Sequence, residues 1–248
     1  MIKRILMNCL NQEALKRYIE GKEGVKVYPT VQLYTFELAC CLFASIDDPA
    51  QLSRLSAQFD VFLKGVISLP FNIPGTVFYG ATRAANVIRD ELLLIARQRK
   101  VALDKEMVSS TQDLLSHMLV TEDASGRQLS EKEIVDNTLM LRFAGHDTTR
   151  SAITSVMKYL GELPEVYAKV LEEQMGIAKS KERGELLKWE DIQKMRYSWN
   201  VVSEVLRLSP PVRGGFREAI ADFTYAGYTI PKGWKVLITF SYSLQVCA

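Results

Sequence analysis

The chain has 248 residues, of which 48% are hydrophobic, enough to bury a sizeable core in one large domain or two small ones. Basic and acidic residues nearly balance, at 31 and 29, so no positive surplus points to nucleic acid as a partner, and the composition argues against wholesale disorder. Only two histidines are present, which argues against a histidine-rich metal site.

Helical patterns dominate the first half of the chain. Apolar residues at three- to four-residue spacing predict four helices, over 30–46, 49–66, 77–102 and 105–120. The stretch 65–82 carries no charged residue and is just long enough to suggest a membrane span, but Pro70 and Pro74 would break a helix there. We interpret this stretch as an apolar loop that contacts a membrane surface without crossing the membrane.

The second half is predicted to be helical up to residue 208. Ser130 opens a long helix with a capping box, because its hydroxyl can accept a backbone N–H and Glu133 can reach back. The pattern predicts helices over 130–163, 164–178, 189–195 and 197–208. Alternation over 223–240, with a turn at 231–233, predicts a β-hairpin. We therefore expect a mainly α fold with a small β-hairpin near the C-terminus.

The run 144–149, Ala-Gly-His-Asp-Thr-Thr, lies in the middle of the long predicted helix. Glycine costs about 1 kcal/mol relative to alanine inside a helix, and aspartate and threonine compete for backbone hydrogen bonds. Thr148 can bond back to the carbonyl of Ala144 and open the helix locally, and Gly145 leaves room for something flat or small. Taken alone, the run indicates either a kink packed in a core or a functional site.

Further features follow this run in a fixed order. Glu204 and Arg207 lie three residues apart on one helix, which ends at a Pro-Pro pair, and Arg217 lies beyond. In this combination the sequence resembles the cytochrome P450 family: the 144–149 run matches its oxygen-binding helix motif, and Glu204 with Arg207 match its ExxR pair. Finer details are similar to the plant triterpenoid and sterol-like oxidase branch, at 34–36, 45–49, 69–76 and 223–227. The resemblance implies the helical fold of the family.

The resemblance also implies roles for the residues of the motif. Asp147 and Thr148 would be catalytic, guiding protons and water for the cleavage of dioxygen. Ala144, Gly145 and Thr149 would contact the haem cofactor. Because the family's haem carries iron, the chain would be a metal-binding protein only through that cofactor.

Downstream, the resemblance implies that Arg217 holds a haem propionate and that Glu204 and Arg207 form a buried structural ion pair. The cysteine that ligates the haem iron in this family has no match. Cys247 has no glycine or arginine around it and comes too soon after Arg207, so we do not expect it to bind iron. No metal ligand is therefore assigned.

The N-terminal anchor and first helices of the family also have no match. We expect the chain, 1–248, to be a single incomplete domain, a truncated and inactive fragment of its parent enzyme. Arg142 is a further departure, since the family usually has an apolar residue there, and we expect it to disturb local packing.

The expected function is that of a haem-dependent monooxygenase. It would hydroxylate a terpenoid, triterpenoid or sterol-like substrate with O2 and with electrons from NADPH through a reductase, at the cytosolic face of the endoplasmic reticulum membrane. Two alternatives stay open. One is a non-catalytic fragment that acts only by binding partners. The other is a metal phosphohydrolase with His146 and Asp147 as its metal-binding doublet, although only His117 remains as a further histidine ligand.

Overall fold

The computed structural model describes residues 18, 21, 23–122, 124–182, 185 and 187–239. The helices in these ranges are α1 Val27–Ala44, α2 Pro49–Val66, α3 Val77–Asp104, α4 Leu114–Val120, α5 Glu131–Glu162, α6 Pro164–Lys179, α7 Trp189–Lys194 and α8 Arg196–Leu208. The strands are β1 Gly214–Glu218, β2 Phe223–Tyr225, β3 Tyr228–Ile230 and β4 Lys235–Thr239. The chain divides within α5 into two compact units, residues 1–147 and 148–248. The mainly α fold with a small hairpin is confirmed.

The first unit contains the main hydrophobic core of the described residues. Side chains from α1 to α5 form it, among them Phe36, Cys40, Leu55, Phe59, Ile88, Leu92, Leu115 and Leu139. Helices α2 and α3 approach closely at Gly65, where an added Cβ would clash with the Cβ of Ala81. Only glycine fits at this position, so this residue sets the distance between the two helices.

The predicted capping box at the start of α5 is present. The Glu133 N–H donates to Ser130 Oγ at 3.3 Å, and the Ser130 N–H donates to the Glu133 carboxylate at 2.8 Å. Arg127 adds an ion pair to the same carboxylate at 3.1 Å. The Ser130 backbone N–H and then the Arg127 side chain lower the pKa of Glu133 to about 2.

The predicted helix over 105–120 is wrong in its first half. Glu106 adopts a left-handed φ of 55°, which interrupts the helix, and α4 begins only after Asp113 accepts the Ser116 N–H at 2.7 Å. The other carboxylate oxygen of Asp113 pairs with Arg99, whose guanidinium also donates to the Ala44 carbonyl at 3.0 Å. This buried pair ties α1, α3 and α4 together.

The β-hairpin is present, but its turn differs from the prediction. Strands β2 and β3 pair antiparallel around Ala226 and Gly227, which both have positive φ, 50° and 82°, as a tight hairpin turn requires. The predicted turn at 231–233 does not join two paired strands. Instead β4 pairs with β1, a strand that the sequence did not reveal because it begins with Gly214 and Gly215.

In the second unit, α6 contacts α8 and fixes its start. The Glu173 carboxylate accepts the backbone N–H groups of Tyr197 and Ser198, both at 2.8 Å. This carboxylate satisfies two of the donors that a helix N-terminus leaves open. Among the described residues of this unit, few are buried; they are Ile177, Asp191, Val205 and Ala219.

In the described part of the chain, no single helix is long and apolar enough to cross a membrane. Taken together, α1 and α2 have the required length and composition, but they are bent by 109° at their junction.

Candidate functional site

The run 144–149 lies within α5, which is α-helical through all six residues. At about 100° per residue, positions four apart share one helix face, and positions two apart lie nearly opposite one another. Ala144 and Thr148 therefore share a face, and His146 points to the other side. The burial pattern agrees, since Ala144 is exposed and His146 is only 2% exposed.

The buried face of α5 ends within this run. Its buried residues are Ile134, Val135, Thr138, Leu139, Arg142 and His146. From Asp147 onwards, no residue of α5 is buried among the described residues. His146 is thus the last inward-facing side chain before the two predicted catalytic residues.

His146 is packed against α1. Its Nδ1 lies 2.9 Å from Thr35 Oγ1, and its ring meets the edge of the Phe36 ring with centroids 5.5 Å apart and planes at 85°. Within the described ranges, no group of three or more His, Cys, Asp or Glu side chains is arranged to hold a metal ion. The ring of His146 therefore contacts Thr35 and Phe36 of α1. In a phosphohydrolase, the same ring would instead bind a metal ion.

Gly145 also faces α1. A Cβ at this position would lie 3.3 Å from two atoms of the Phe43 ring. The space beside this glycine is thus filled by an aromatic ring of the protein itself. The expected contact of Gly145 with haem stays a prediction.

Arg142 lies one turn before His146 on the buried face and is 1% exposed. None of its three guanidinium nitrogens has a hydrogen-bond partner among the described residues. Desolvation lowers its pKa, while Cys40 and Glu91 oppose that shift. Arg142 therefore lies among core side chains, and its expected disturbance of local packing stays a prediction.

Arg217 lies on β1 and is exposed. Its guanidinium folds back over Gly215, where an added Cβ would lie 3.2 Å from Nη1, and donates to the Phe216 carbonyl at 2.8 Å. Phe216, Arg217, Glu218 and Lys235 line a cleft of about 500 Å³. The lining of this cleft thus combines two cations, one carboxylate and an aromatic ring.

The Glu204–Arg207 ion pair is formed, with Arg207 Nε donating to Glu204 Oε2 at 2.7 Å. Its predicted burial is wrong, because the two side chains are 52% and 45% exposed. The pair lies near the C-terminal end of α8, where Val205 is the one buried residue of the helix. An exposed pair of this kind contributes little to stability.

Comparison with known proteins identifies the chain. The sequence profile described as Cytochrome P450 matches residues 7–245. The chain belongs to the cytochrome P450 family. It is 50% identical to a beta-amyrin 28-monooxygenase of Solanum lycopersicum, a match that covers 95% of this chain and 52% of that protein. It is 47% identical to a beta-amyrin 6-beta-monooxygenase of the same plant, over 92% of this chain and 48% of that protein.

Solved structures agree with this assignment. A retinoic acid-bound cyanobacterial CYP120A1 is 32% identical with a TM-score of 0.78, and the match covers 96% of this chain and 55% of that one. A cytochrome P450DA heme domain shares the fold, with a TM-score of 0.82 at 17% identity, over 97% of this chain and 52% of that one. The chain spans about half the length of the curated relatives it matches.

The exposed guanidinium of Arg217 has the charge that would bind a haem propionate. Contacts of Ala144, Gly145 and Thr149 with haem remain predictions. Cys247 lies outside the described residues.

Sequence reasoning did not find the α1 residues that hold the motif. Thr35, Phe36 and Phe43 contact His146 and Gly145 across more than 100 positions of sequence, as the separation of 111 between Thr35 and His146 shows. The helical period places Phe36 and Phe43, seven residues apart, on one face of α1, with Thr35 about 100° around the helix from Phe36. Nothing in that period identifies α5 as the element that this face contacts.

Proposed function

We propose that the complete protein is a haem-dependent monooxygenase that oxidises a triterpenoid or sterol-like substrate related to beta-amyrin, using O2 and electrons passed from NADPH through a reductase. The observation that carries this proposal is the 50% identity, over 95% of the chain, to a protein named beta-amyrin 28-monooxygenase. The order of the 144–149 run, the Glu204–Arg207 pair and Arg217 along the chain, which resembles that of the family, supports it.

Haem, when bound, supplies dioxygen activation. The protein's part would be to hold and move protons beside it. The Asp147 carboxylate can take up a proton, and the Thr148 hydroxyl can accept and donate one, so the two adjacent groups can act as a relay. Ala144, one turn earlier, carries only a methyl group and would leave space over this face of the helix.

Arg217 would hold a haem propionate by a charge-assisted hydrogen bond. Its guanidinium is exposed at a cleft that Lys235 and Glu218 also line, so a propionate there would meet two positive charges and one negative charge. Gly215 supports this arrangement, because Arg217 Nη1 lies 3.2 Å from the position that a Cβ on residue 215 would occupy.

The direct test is turnover. The haem-loaded protein with reductase, NADPH and beta-amyrin should form a product one oxygen atom heavier than the substrate, detected by mass spectrometry. Asp147→Asn should slow product formation by roughly 100-fold, the lower range for loss of a positioned proton-transfer group. A parent protein that binds haem and accepts electrons but leaves beta-amyrin and related triterpenes unchanged would contradict the substrate assignment.

A second measurement asks whether the 248-residue chain itself forms the haem-thiolate site. We expect no thiolate-type Soret band in the reduced, carbon monoxide-treated chain after haem reconstitution, because Cys247 lacks the electropositive surroundings that a thiolate needs. Such a band would identify a cysteine ligand within this chain. Its absence would favour a non-catalytic role for these 248 residues alone.

We also infer contact with a membrane surface, with the endoplasmic reticulum as the compartment. The loop between α2 and α3 exposes Ile67, Leu69 and Ile73, at 96%, 73% and 60%. No charged residue lies within 65–82. An exposed apolar group of this kind is typical of an interaction surface.

Vesicle flotation tests this inference. Leu69→Asp should reduce co-flotation with phosphatidylcholine vesicles, because a carboxylate would have to leave water to enter the interface. Leu94→Asp is the matched control, since Leu94 lies on α3 and is also exposed, at 57%. Equal flotation of both variants and the parent would exclude the loop as the contact.

A further inference from the structure

The hydrogen bond between Thr35 and His146 lies beside the proposed proton relay. Thr35 is 2% exposed, as is His146, so the bond is shielded from water. The Thr35 hydroxyl donates to the Val31 carbonyl of its own helix at 2.9 Å. The same Thr35 oxygen lies 2.9 Å from His146 Nδ1, within hydrogen-bond distance.

The residues around this bond leave α5 intrinsically weak. Gly145, Asp147, Thr148 and Thr149 are all poor helix formers. The fully buried stripe of α5 ends at His146, and residues 147–150 are half-buried. At Gly145 and His146, this helix contacts Phe43, Thr35 and Phe36 of α1.

We propose that His146 is a positioning residue: its bond to Thr35 and its edge contact with Phe36 fix the rotation of α5, and so set the direction in which Asp147 and Thr148 point. This inference rests on the proposed function for its catalytic meaning. The geometry is specific, because His146 points nearly opposite to Ala144 and Thr148. Because His146 is bonded to α1 on one side of α5, it would fix the direction of Thr148 on the opposite side without contacting the reacting groups itself.

Thr35→Val removes the hydroxyl and keeps the shape. Thr138→Val is the matched control: Thr138 is also buried, and its hydroxyl bonds only to the Ile134 carbonyl of its own helix in the described structure, at 2.7 Å. His146→Phe is a second variant that keeps a ring against Phe36 and loses the nitrogen. Both test variants lose the bond to α1, whereas the control loses only a bond within its own helix.

The first readout is amide hydrogen–deuterium exchange over residues 144–149 in the chain without haem. Thr35→Val and His146→Phe should each speed exchange there about three- to tenfold, as expected for loss of one buried hydrogen bond, and Thr138→Val should not. Unchanged exchange in both test variants would overturn the proposal.

The second readout is coupling in the haem-loaded protein. Thr35→Val should release more hydrogen peroxide per NADPH consumed than the parent or Thr138→Val, because protons reach the reacting groups from a less defined direction. Faster exchange with unchanged coupling would overturn the positioning role. If the complete protein takes up no haem, the proposed function fails, and the exchange comparison on the 248-residue chain still decides whether His146 fixes this turn.

Discussion

Replacement of Arg142 by methionine should stabilise the protein. Arg142 is 1% exposed, and none of its guanidinium nitrogens has a hydrogen-bond partner among the described residues. Desolvation lowers its pKa, yet arginine stays protonated at neutral pH. Burial raises the pKa of the neighbouring Cys40 thiol to about 11, so that thiol is neutral and does not offset the positive charge.

The size of the effect follows from the cost of an unpaired buried charge. Leaving such a charge uncompensated costs about 3–5 kcal/mol in other proteins. The negative charge of Glu91 offsets part of the cost of burying the Arg142 guanidinium. The offset is partial because Glu91 also pairs with Arg54, at 3.4 Å. Methionine keeps a flexible chain of similar length without polar atoms. We therefore expect Arg142→Met to raise the free energy of unfolding by about 3 kcal/mol, or the midpoint by roughly 6–12 °C.

Urea unfolding followed by far-ultraviolet circular dichroism measures this change. Arg142→Lys, which keeps the charge, should show no such gain. Arg89→Met is the control for a surface arginine: Arg89 pairs with Asp136 at 2.8 Å and is 44% exposed, so its loss should change stability by less than about 0.5 kcal/mol. An Arg142→Met protein no more stable than its parent would refute the reasoning, because the guanidinium would then have a compensating partner.

Three further predictions concern the frame around the site. Asp113→Asn should cost roughly 3–5 kcal/mol in urea unfolding, because Asp113 is fully buried and pairs with Arg99; an unchanged midpoint would exclude that buried pair. Because the pKa of Glu133 is lowered to about 2 from 4.5, its cap on α5 is fully present above pH 4.5 and is lost as pH falls through about 2. Glu133→Gln should remove this pH dependence of the Ser130 amide exchange rate, and a variant that keeps it would contradict the assignment. Gly65→Ala should lower stability by about 1–3 kcal/mol through its clash with Ala81, measured by thermal unfolding, with Gly80→Ala as the tolerated control.

Local signals in the sequence located most of the helices. The helical period and the Pro49 and Pro164 starts predicted α2 and α6 within a residue of their observed ends, and the Ser130–Glu133 box predicted the start of α5. The failures have a different origin. Glu106 adopts a left-handed φ although it is not a glycine, the residue type that usually marks such a position in a sequence. Strand β1 begins with two glycines, which disfavour a strand in a prediction from sequence.

Close approach explains why glycine begins β1. A Cβ on Gly214 would lie 2.5 Å from the Ile238 carbonyl oxygen, so the β1–β4 pair requires a residue without a side chain. A sequence read alone shows the glycine but not the strand that approaches it. The same limit applies to the site: the 144–149 run was evident, whereas its α1 contacts depend on how two distant helices meet.

The exposed Glu204–Arg207 pair shows a related limit. A spacing of three residues on one helix predicts that the two charges meet, and they do, with Nε and Oε2 2.7 Å apart. Burial depends on what covers that helix face, and the spacing carries no information about it. The pairing of Glu204 with Arg207 thus follows from the sequence of α8 alone, whereas the burial of the pair depends on other parts of the protein.

Arg142 and His146 lie one turn apart on the same buried face of α5. We expect Arg142 to affect the stability of the whole protein and His146 to affect the local geometry of α5. His146 has a partner, Thr35, whose net contribution is only about 0.5–1.5 kcal/mol, whereas Arg142 has none among the described residues and carries a full charge. Arg142→Met should therefore shift the global unfolding midpoint and leave exchange over residues 144–149 unchanged. Thr35→Val should do the reverse, with a small global change and a local one. A polar residue on a buried helix face can thus set geometry at low cost only when the facing helix supplies its partner.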